Sequence, residues 1–345
     1  MKQSQTMEAS VIPRTVPAAA LLLTTLAVAA CDTRTEPETS GSQPAIAPAL
    51  AVASNSWIGR ADLPSTERWD LAAATVNAAG QSILYAIGGR TATGGSLSKV
   101  QAYNAATNTW THKAPLPVPL YWSNGAGVIG GKIYISGGLS GYKEYRSSLY
   151  VYDPATNTWT QKRDMPNSSF RGVTGVSNNL LYVATGCDQE DCLFYEQTAL
   201  YRYNPVTDRW TRLASPPTAN GLGSGGFIGG KFYVTRGGGG LDVYDPATNQ
   251  WTSRARMPVP QWRAAGVTMS AKLYVIGGYQ TNADGTSTLS VRTAVYDPAT
   301  NTWTTRAPLP SGRADIAASR VSVNGKLRIN VVGGRPPGNN LQYIP

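Results

Sequence analysis

The chain has 345 residues, among them 36 Gly, 23 Pro, 18 Tyr and 9 Trp, and a formal charge of +10 at neutral pH. No stretch reads as a long amphipathic helix, and short apolar runs punctuated by Gly and Pro point to an all-β chain. A single histidine, His112, leaves too few ligands for a zinc site, and basic residues that are scattered rather than grouped argue against nucleic acid as a partner.

The first 31 residues differ from the rest. Lys2 and Arg14 precede an apolar stretch from Val16 to Ala30, too short for a comfortable membrane span and suited to a signal-peptide core. The stretch ends Val28-Ala29-Ala30-Cys31, which resembles the lipobox of bacterial lipoproteins. That resemblance implies that Cys31 becomes the lipidated first residue of an exported, membrane-anchored protein. An ordinary secretory signal cut near the alanines is the other reading. Residues 1–30 are expected to be the signal peptide. Residues 31–52, rich in Thr, Glu, Pro, Ser and Ala, are expected to be a flexible tether. Loss of Lys2, Glu8 and Arg14 leaves +9, a balance that favours anionic partners. The membrane is expected to be met through the lipid alone.

From residue 53 onward the chain repeats itself. Ala53-Ser54-Asn55-Ser56-Trp57 has the pattern of Ala106-Thr107-Asn108-Thr109-Trp110. The longer segment recurs from Tyr103, Tyr152, Tyr203, Tyr244 and Tyr296, always with a Trp seven residues after the Tyr. Between these segments lie apolar, β-branched runs closing on Gly, such as Lys132 to Gly138 and Lys272 to Gly278. Each is too short for a helix and reads as a buried strand. The unit is therefore four strands: an apolar-small run, the strand ending in Gly, the strand ending at Tyr-Asp-Pro, and the Trp strand. The Pro-Ala-Thr-Asn segment suits a tight turn.

This pattern resembles the kelch repeat, whose units are blades of a β-propeller. The resemblance implies a six-bladed propeller over residues 53–345, built from four-stranded antiparallel blades. Six Gly-ending strands meet only five Tyr-to-Trp segments. The segment at Trp57 should therefore supply the outer strand of the last blade and close the ring against Asn340 to Pro345. From Val52 to Pro345 there are 294 residues, or 49 per blade.

With Cys31 assigned to the anchor, Cys187 and Cys192 remain. They enclose Asp-Gln-Glu-Asp, and in an oxidising compartment a disulfide between them is expected; two free thiols is the other reading. The Trp that recurs once per blade (Trp57, Trp110, Trp159, Trp210, Trp251, Trp303) is expected to pack between blades.

Three tryptophans stand apart. Trp69, Trp122 and Trp262 each follow a Leu-Pro or Met-Pro loop and open an innermost strand. Phe170–Arg171, Asn220–Gly221 and Arg313–Ala314 hold that position in the other blades. In kelch domains that bind peptides, side chains here and in the loops after the Gly pairs form the pocket. The resemblance thus implies a channel mouth lined by Trp69, Trp122, Phe170 and Trp262, with Arg68, Tyr121, Arg171, Arg263 and Arg313 beside them. Arg90, Tyr279 and Arg335 come from the Gly loops. Aromatic faces stack on sugars and attract cations, and arginines take carboxylate or sulfate. The expected ligand is a saccharide or a protein or peptide partner, anionic ones included.

The copper radical oxidases of this fold need two His ligands, so that chemistry is excluded. No cofactor is expected. A kelch sialic-acid epimerase needs no metal, so a sugar epimerase or mutarotase stays as the alternative, with Glu67, Asp70 and Asp315 as acid–base candidates. A structural envelope protein is the third reading.

Overall fold

The computed structural model of the chain describes residues 53–64, 68–189, 198–218, 221–282, 284–336 and 340–345. The expected signal peptide and tether with Cys31 lie outside these residues, as do Cys192, Glu67 and Asn220.

The described residues form six antiparallel sheets of four strands, the blades of a propeller around a central channel. Blade 1 runs outward through Ala72–Ala78, Gln81–Ile87, Val100–Asn104 and Thr109–Lys113. The inner strands of blades 2 to 5 are Ala126–Ile129, Val173–Ser177, Gly225–Ile228 and Ala265–Met269. Blade 6 is shared between the ends of the chain. Ala317–Val323, Lys326–Val332 and Leu341–Ile344 come from the C-terminal end, and the outer strand is Ser56–Gly59. Trp57 pairs with Tyr343 in the same register as Trp110 with Tyr103. The expected closure is therefore present, and the ring keeps only short outer edges.

The repeated sequence explains how the blades hold one another. In blade 1, Tyr103 Oη donates to Asn108 Oδ1 at 2.8 Å, and the same oxygen accepts the Ala61 N–H at 2.8 Å. Trp110 Nε1 donates to the Ala61 carbonyl at 2.8 Å. Ala61 follows the outer strand of blade 6, so Tyr, Asn and Trp together clasp the neighbouring blade. Asn108 holds this place because its φ of 58° is in the left-handed region, where Asn is tolerated. Asn157, Asp208, Asn249 and Asn301 make the same pair of contacts in blades 2 to 5. Across the junction of the termini Asn55 binds Tyr343 Oη and Ala307 N–H, while Trp57 Nε1 donates to Ala307 O at 2.9 Å. The six strand tryptophans are interblade residues, as expected.

The Gly pairs set the mouth. Gly89 has φ 98°, and a Cβ there would lie 2.7 Å from the Trp69 carbonyl. Its N–H donates to Leu120 O of blade 2 at 2.7 Å. Only Gly permits that crossing of chains. Blades 3 and 4 depart from the pattern, with Thr185 and Arg236 where the others carry the first Gly. The blade 4 loop is a five-residue turn closed by Arg236 N–H to Gly240 O at 2.9 Å. Blade 5 instead raises a small hairpin, Tyr279–Thr281 against Ser287–Leu289. The rim is thus high at blade 5 and low at blade 4. The Tyr-to-Trp turns, Ala53 and Pro345 all lie at the opposite, far end of the channel.

Candidate functional site at the channel mouth

Each inner strand is preceded by a residue in left-handed backbone conformation. These are Asp70, Trp122, Arg171, Leu222, Arg263 and Asp315, with φ between 52° and 65°. Their main chains join around the axis. The N–H of Asp70 donates to Asp315 O at 3.0 Å, Trp122 to Asp70 at 3.1 Å and Arg171 to Trp122 at 2.8 Å. On the other side Arg263 donates to Leu222 at 3.2 Å and Asp315 to Arg263 at 3.1 Å. The six residues form a diaphragm where the channel meets the mouth. From it a cavity of about 390 Å³ runs down the inner strands past Thr75, Thr174 and Thr268.

In five blades, all but blade 4, the residue just before the diaphragm residue is tied to the Gly loop of its own blade. Backbone bridges join Trp69 to Arg90, Tyr121 to Leu139, Phe170 to Cys187, Trp262 to Tyr279 and Ala314 to Arg335. The two sets of residues expected from sequence therefore do meet. Their register differs from expectation at one point. Trp122 is not the counterpart of Trp69 and Trp262; Tyr121 is. Trp122 sits one place further on, in the diaphragm with Asp70 and Arg263.

That shift puts the Trp122 indole among cations. The guanidinium carbons of Arg171, Arg90 and Arg263 lie 3.4, 4.5 and 5.7 Å from its ring centre. On its other side the ring stacks on Phe170 at 5.8 Å, and Phe170 on Tyr145 at 5.7 Å. One half of the mouth, from blades 2 to 4, is aromatic and apolar, with Tyr121, Leu139, Phe170 and Leu222 in one cluster.

The other half is ionic. Asp70 binds Arg90 Nε at 2.6 Å and lies 3.7 Å from Arg263 Nη2, while Arg263 Nε is 2.6 Å from Asp315 Oδ1. Both carboxylates are almost fully buried. Asp315 Oδ2 has no hydrogen-bond donor. Burial pushes the Asp315 carboxyl up to about 7, helped by the Asp70 charge and opposed by Arg263. In its protonated form Asp315 can donate toward Asp70, which answers the unpartnered Oδ2. Burial pushes Arg171 down to about 9, aided by the charge of Arg263, and it stays a cation at neutral pH.

Not every expected residue faces a ligand. Arg68 is fully buried and gives its guanidinium to the carbonyls of Gly88, Ala86 and Lys99 and to Gln101 Oε1. It braces the Gly-pair strand from inside blade 1. Phe170 is fully buried behind Trp122 and Tyr145. Trp69 is 5% exposed and covered by Arg335, whose guanidinium carbon is 4.4 Å from its ring centre. Arg313 is buried as well. Trp262 is half-buried and stacks on Tyr279 at 4.6 Å. Cys187 is disulfide-bonded, with its expected partner Cys192 outside the described residues. The sequence offers Asp70 and Asp315 as acid–base candidates but not as a buried pair, and it does not single out Tyr145. The signal for both acids was positional: Trp69-Asp70, Phe170-Arg171, Trp262-Arg263 and Ala314-Asp315 share one place in the repeat.

The buried acid makes stability depend on pH. Between the ordinary carboxyl range and about pH 7 the folded chain keeps a proton that the unfolded chain has released. The stability from that proton is complete at low pH and lost as pH rises through about 7. Asp315→Asn removes the titration. Relative to wild type, the variant should gain roughly 1–3 kcal/mol in unfolding free energy between about pH 5 and about pH 8. Parallel melting profiles across that range would show that Asp315 titrates as it does in water.

The comparisons with known proteins agree with this architecture. The family model described as the KLHDC2/KLHL20/DRC7 Kelch-repeats domain matches residues 50–240, and the Kelch motif matches residues 263–310. An F-box/kelch-repeat protein of Arabidopsis thaliana is 39% identical over 88 residues, 26% of this chain and 22% of that protein. Kelch-like protein terF of Aspergillus terreus is 31% identical over 228 residues, 61% of this chain and 50% of that protein. The chain thus aligns with half or less of the length of either relative. The solved structure described as "Structure of YjhT" superposes with a TM-score of 0.65 at 17% identity, covering 82% of this chain and 94% of that one. At that identity it shows a shared fold. With its family model spanning more than half the sequence and its blades clasped through the repeat motif itself, the chain belongs to the kelch-repeat family of β-propellers.

Proposed function

We propose that the channel mouth is a binding site for an anionic ligand, either an acidic saccharide or an acidic peptide segment of a protein partner. Kelch propellers generally act as interaction scaffolds or binding modules. The observation that carries the reading is the ring of Arg90, Arg171 and Arg263 around Trp122. Four arginines, counting Arg335, stand against two aspartates of which one holds a proton near neutrality. The aromatic half offers flat apolar contact and the ionic half offers paired N–H donors for carboxylate or sulfate. The binding experiment is an array of acidic and neutral glycans and acidic peptides, probed with residues 51–345 and with its Arg171→Ala variant. Acidic probes should bind and lose about tenfold or more with Arg171→Ala, the range for a charged hydrogen-bonding partner. Retention of neutral and acidic probes alike, unaffected by the variant, would overturn the reading.

One observation favours a second reading. The buried Asp70–Asp315 pair has the makings of an acid and a base held side by side, as a sugar epimerase or mutarotase requires. NMR exchange between the anomers of any array-positive sugar, lost in Asp315→Asn, would support it. No acceleration by the wild type would exclude it.

We also propose that the chain is exported and held on a bacterial membrane through lipidated Cys31, on the strength of the lipobox-like Val28-Ala29-Ala30-Cys31. Cys31→Ser should release the protein from the membrane fraction. An unchanged distribution with no lipid mass on the wild type would contradict it.

A further inference from the structure

The far end of the channel is uneven, and its most prominent feature belongs to blade 6. The two inner strands are seven residues long in blades 6 and 1 but four or five in blades 2 to 5. At the mouth all six start beside the Gly loops, so the surplus projects at the far end, by roughly 7 Å at about 3.4 Å per residue. The two long hairpins lean on each other, and the Ser322 N–H donates to Ser82 Oγ at 2.9 Å. They form a stiff lip beside the channel's lower exit.

The charge of this lip is also unlike that of its neighbours. In blades 2, 4 and 5 a lysine opens the second strand, and an aspartate at the end of the third strand neutralises it. Lys132–Asp153 and Lys231–Asp245 lie at 2.8 Å and Lys272–Asp297 at 2.7 Å. Arg328 takes the same place in blade 6, one residue before the Ile329–Tyr343 pair, and Ile344 stands where the aspartate would. Arg320 and Lys326, nearer the tip, also have no acidic partner among the described residues. Between them the tip exposes Leu327, at 37% one of the few accessible large apolar side chains. Three uncompensated cations around an exposed leucine on a projecting hairpin match an anionic, partly apolar surface.

The path of the chain selects which surface. Residues 1–52 join the propeller at Ala53, immediately before the strand in which Ser56 pairs with Ile344. That strand is the outer one of the same blade, and its start lies at the same far end. The N-terminal segment therefore leaves the propeller at the end that carries the lip.

We propose that the far end of blade 6 is a lipid-docking surface, in which the hairpin tip from Val323 to Arg328, together with Arg320, rests on an anionic bilayer. Docking leaves the mouth facing away from the membrane. It adds an electrostatic contact to the attachment proposed at Cys31.

The test uses residues 51–345, a unit whose ring is closed and whose every blade is complete. Cys31 is absent from it, so the outcome does not depend on lipidation. Co-sedimentation is measured with phosphatidylcholine vesicles and with vesicles containing about 30% phosphatidylglycerol, enough for a strong negative surface potential. Binding is expected only to the anionic vesicles and should fall as salt rises. Arg320→Glu/Lys326→Glu/Arg328→Glu should weaken it by at least about tenfold, and the triple Gln variant should weaken it less, with both melting like the wild type. Leu327→Ser should weaken it by a smaller factor. The control Lys132→Glu/Lys231→Glu/Lys272→Glu makes the same change in net charge and should matter little. Absence of binding, equal binding to neutral vesicles, or equal loss in the control would overturn the proposal.

Discussion

A fragment beginning at Ile58 is expected to melt at least about 10 °C below one beginning at Ala51, a shift that matches a loss of a few kcal/mol in a domain of this size. Only seven residues differ, and they carry the closing contacts of the ring. Asn55 Oδ1 accepts from Tyr343 Oη and from the Ala307 N–H, and Trp57 Nε1 donates to the Ala307 carbonyl. The Trp57 ring also packs against Tyr343 at 5.2 Å. Loss of the indole alone is worth about 3 kcal/mol, the low end for a buried Trp, because this one is half-buried. The lost hydrogen bonds add about 1 kcal/mol each. The strand Leu341–Ile344 would become an open edge, so the shortened fragment should also associate through it. Calorimetric melting and sedimentation of the two fragments check both effects. Equal melting temperatures would mean that the ring is closed by something other than this strand.

The scaffold was legible because one sentence of sequence does one physical job six times. Tyr, Asn and Trp keep fixed spacing since Asn and Trp must reach the same backbone residue of the neighbouring blade while Tyr holds the Asn. The copy at Trp57 lacks its Tyr, and the missing residue is Tyr343 at the other end of the chain. That gap is what revealed the closure. The Gly pairs were legible for a similar reason, since strands of two blades cross there at distances no Cβ allows.

The site was legible in its residues but not in its register. Phe170, Trp262 and Ala314 stand four residues after a Pro, as does Tyr121, while Trp69 stands five after Pro64. Blades 1 and 2 each carry an extra residue between that Pro and the inner strand. In blade 1 it falls before Trp69, and in blade 2 after Tyr121. Counting from either side therefore equates Trp122 with Trp69, and only the backbone pairing separates them. The pairing of Asp70 with Asp315 escaped for a different reason. They are 245 positions apart and become neighbours because blade 6 closes onto blade 1, a contact with no local trace in sequence. The burial of Arg68 was hidden likewise: its partners are carbonyl oxygens, which leave no mark on residue type.

The claim that a binding site sits at the mouth of an otherwise self-supporting scaffold is tested most directly by two tryptophans. Trp159 donates its Nε1 to Ala114 O at 2.9 Å and packs on Tyr152, joining blade to blade. Trp122 lies between arginines and Phe170 at the diaphragm, with a buried Nε1 that has no partner. The measurement is paired: unfolding free energy, and affinity for the acidic array probes, for Trp122→Ala and Trp159→Ala in residues 51–345. Trp159→Ala should lose roughly 3 kcal/mol or more of stability, as buried Trp truncations do, with affinity of the folded fraction unchanged. Trp122→Ala should lose about 1–3 kcal/mol of binding, about the worth of a charged hydrogen bond, because Arg171 and Arg90 lose the ring that holds their guanidinium groups, and at most half as much stability as Trp159→Ala. Equal destabilisation by both, with acidic probes still bound by Trp122→Ala, would make Trp122 part of the core and contradict the site.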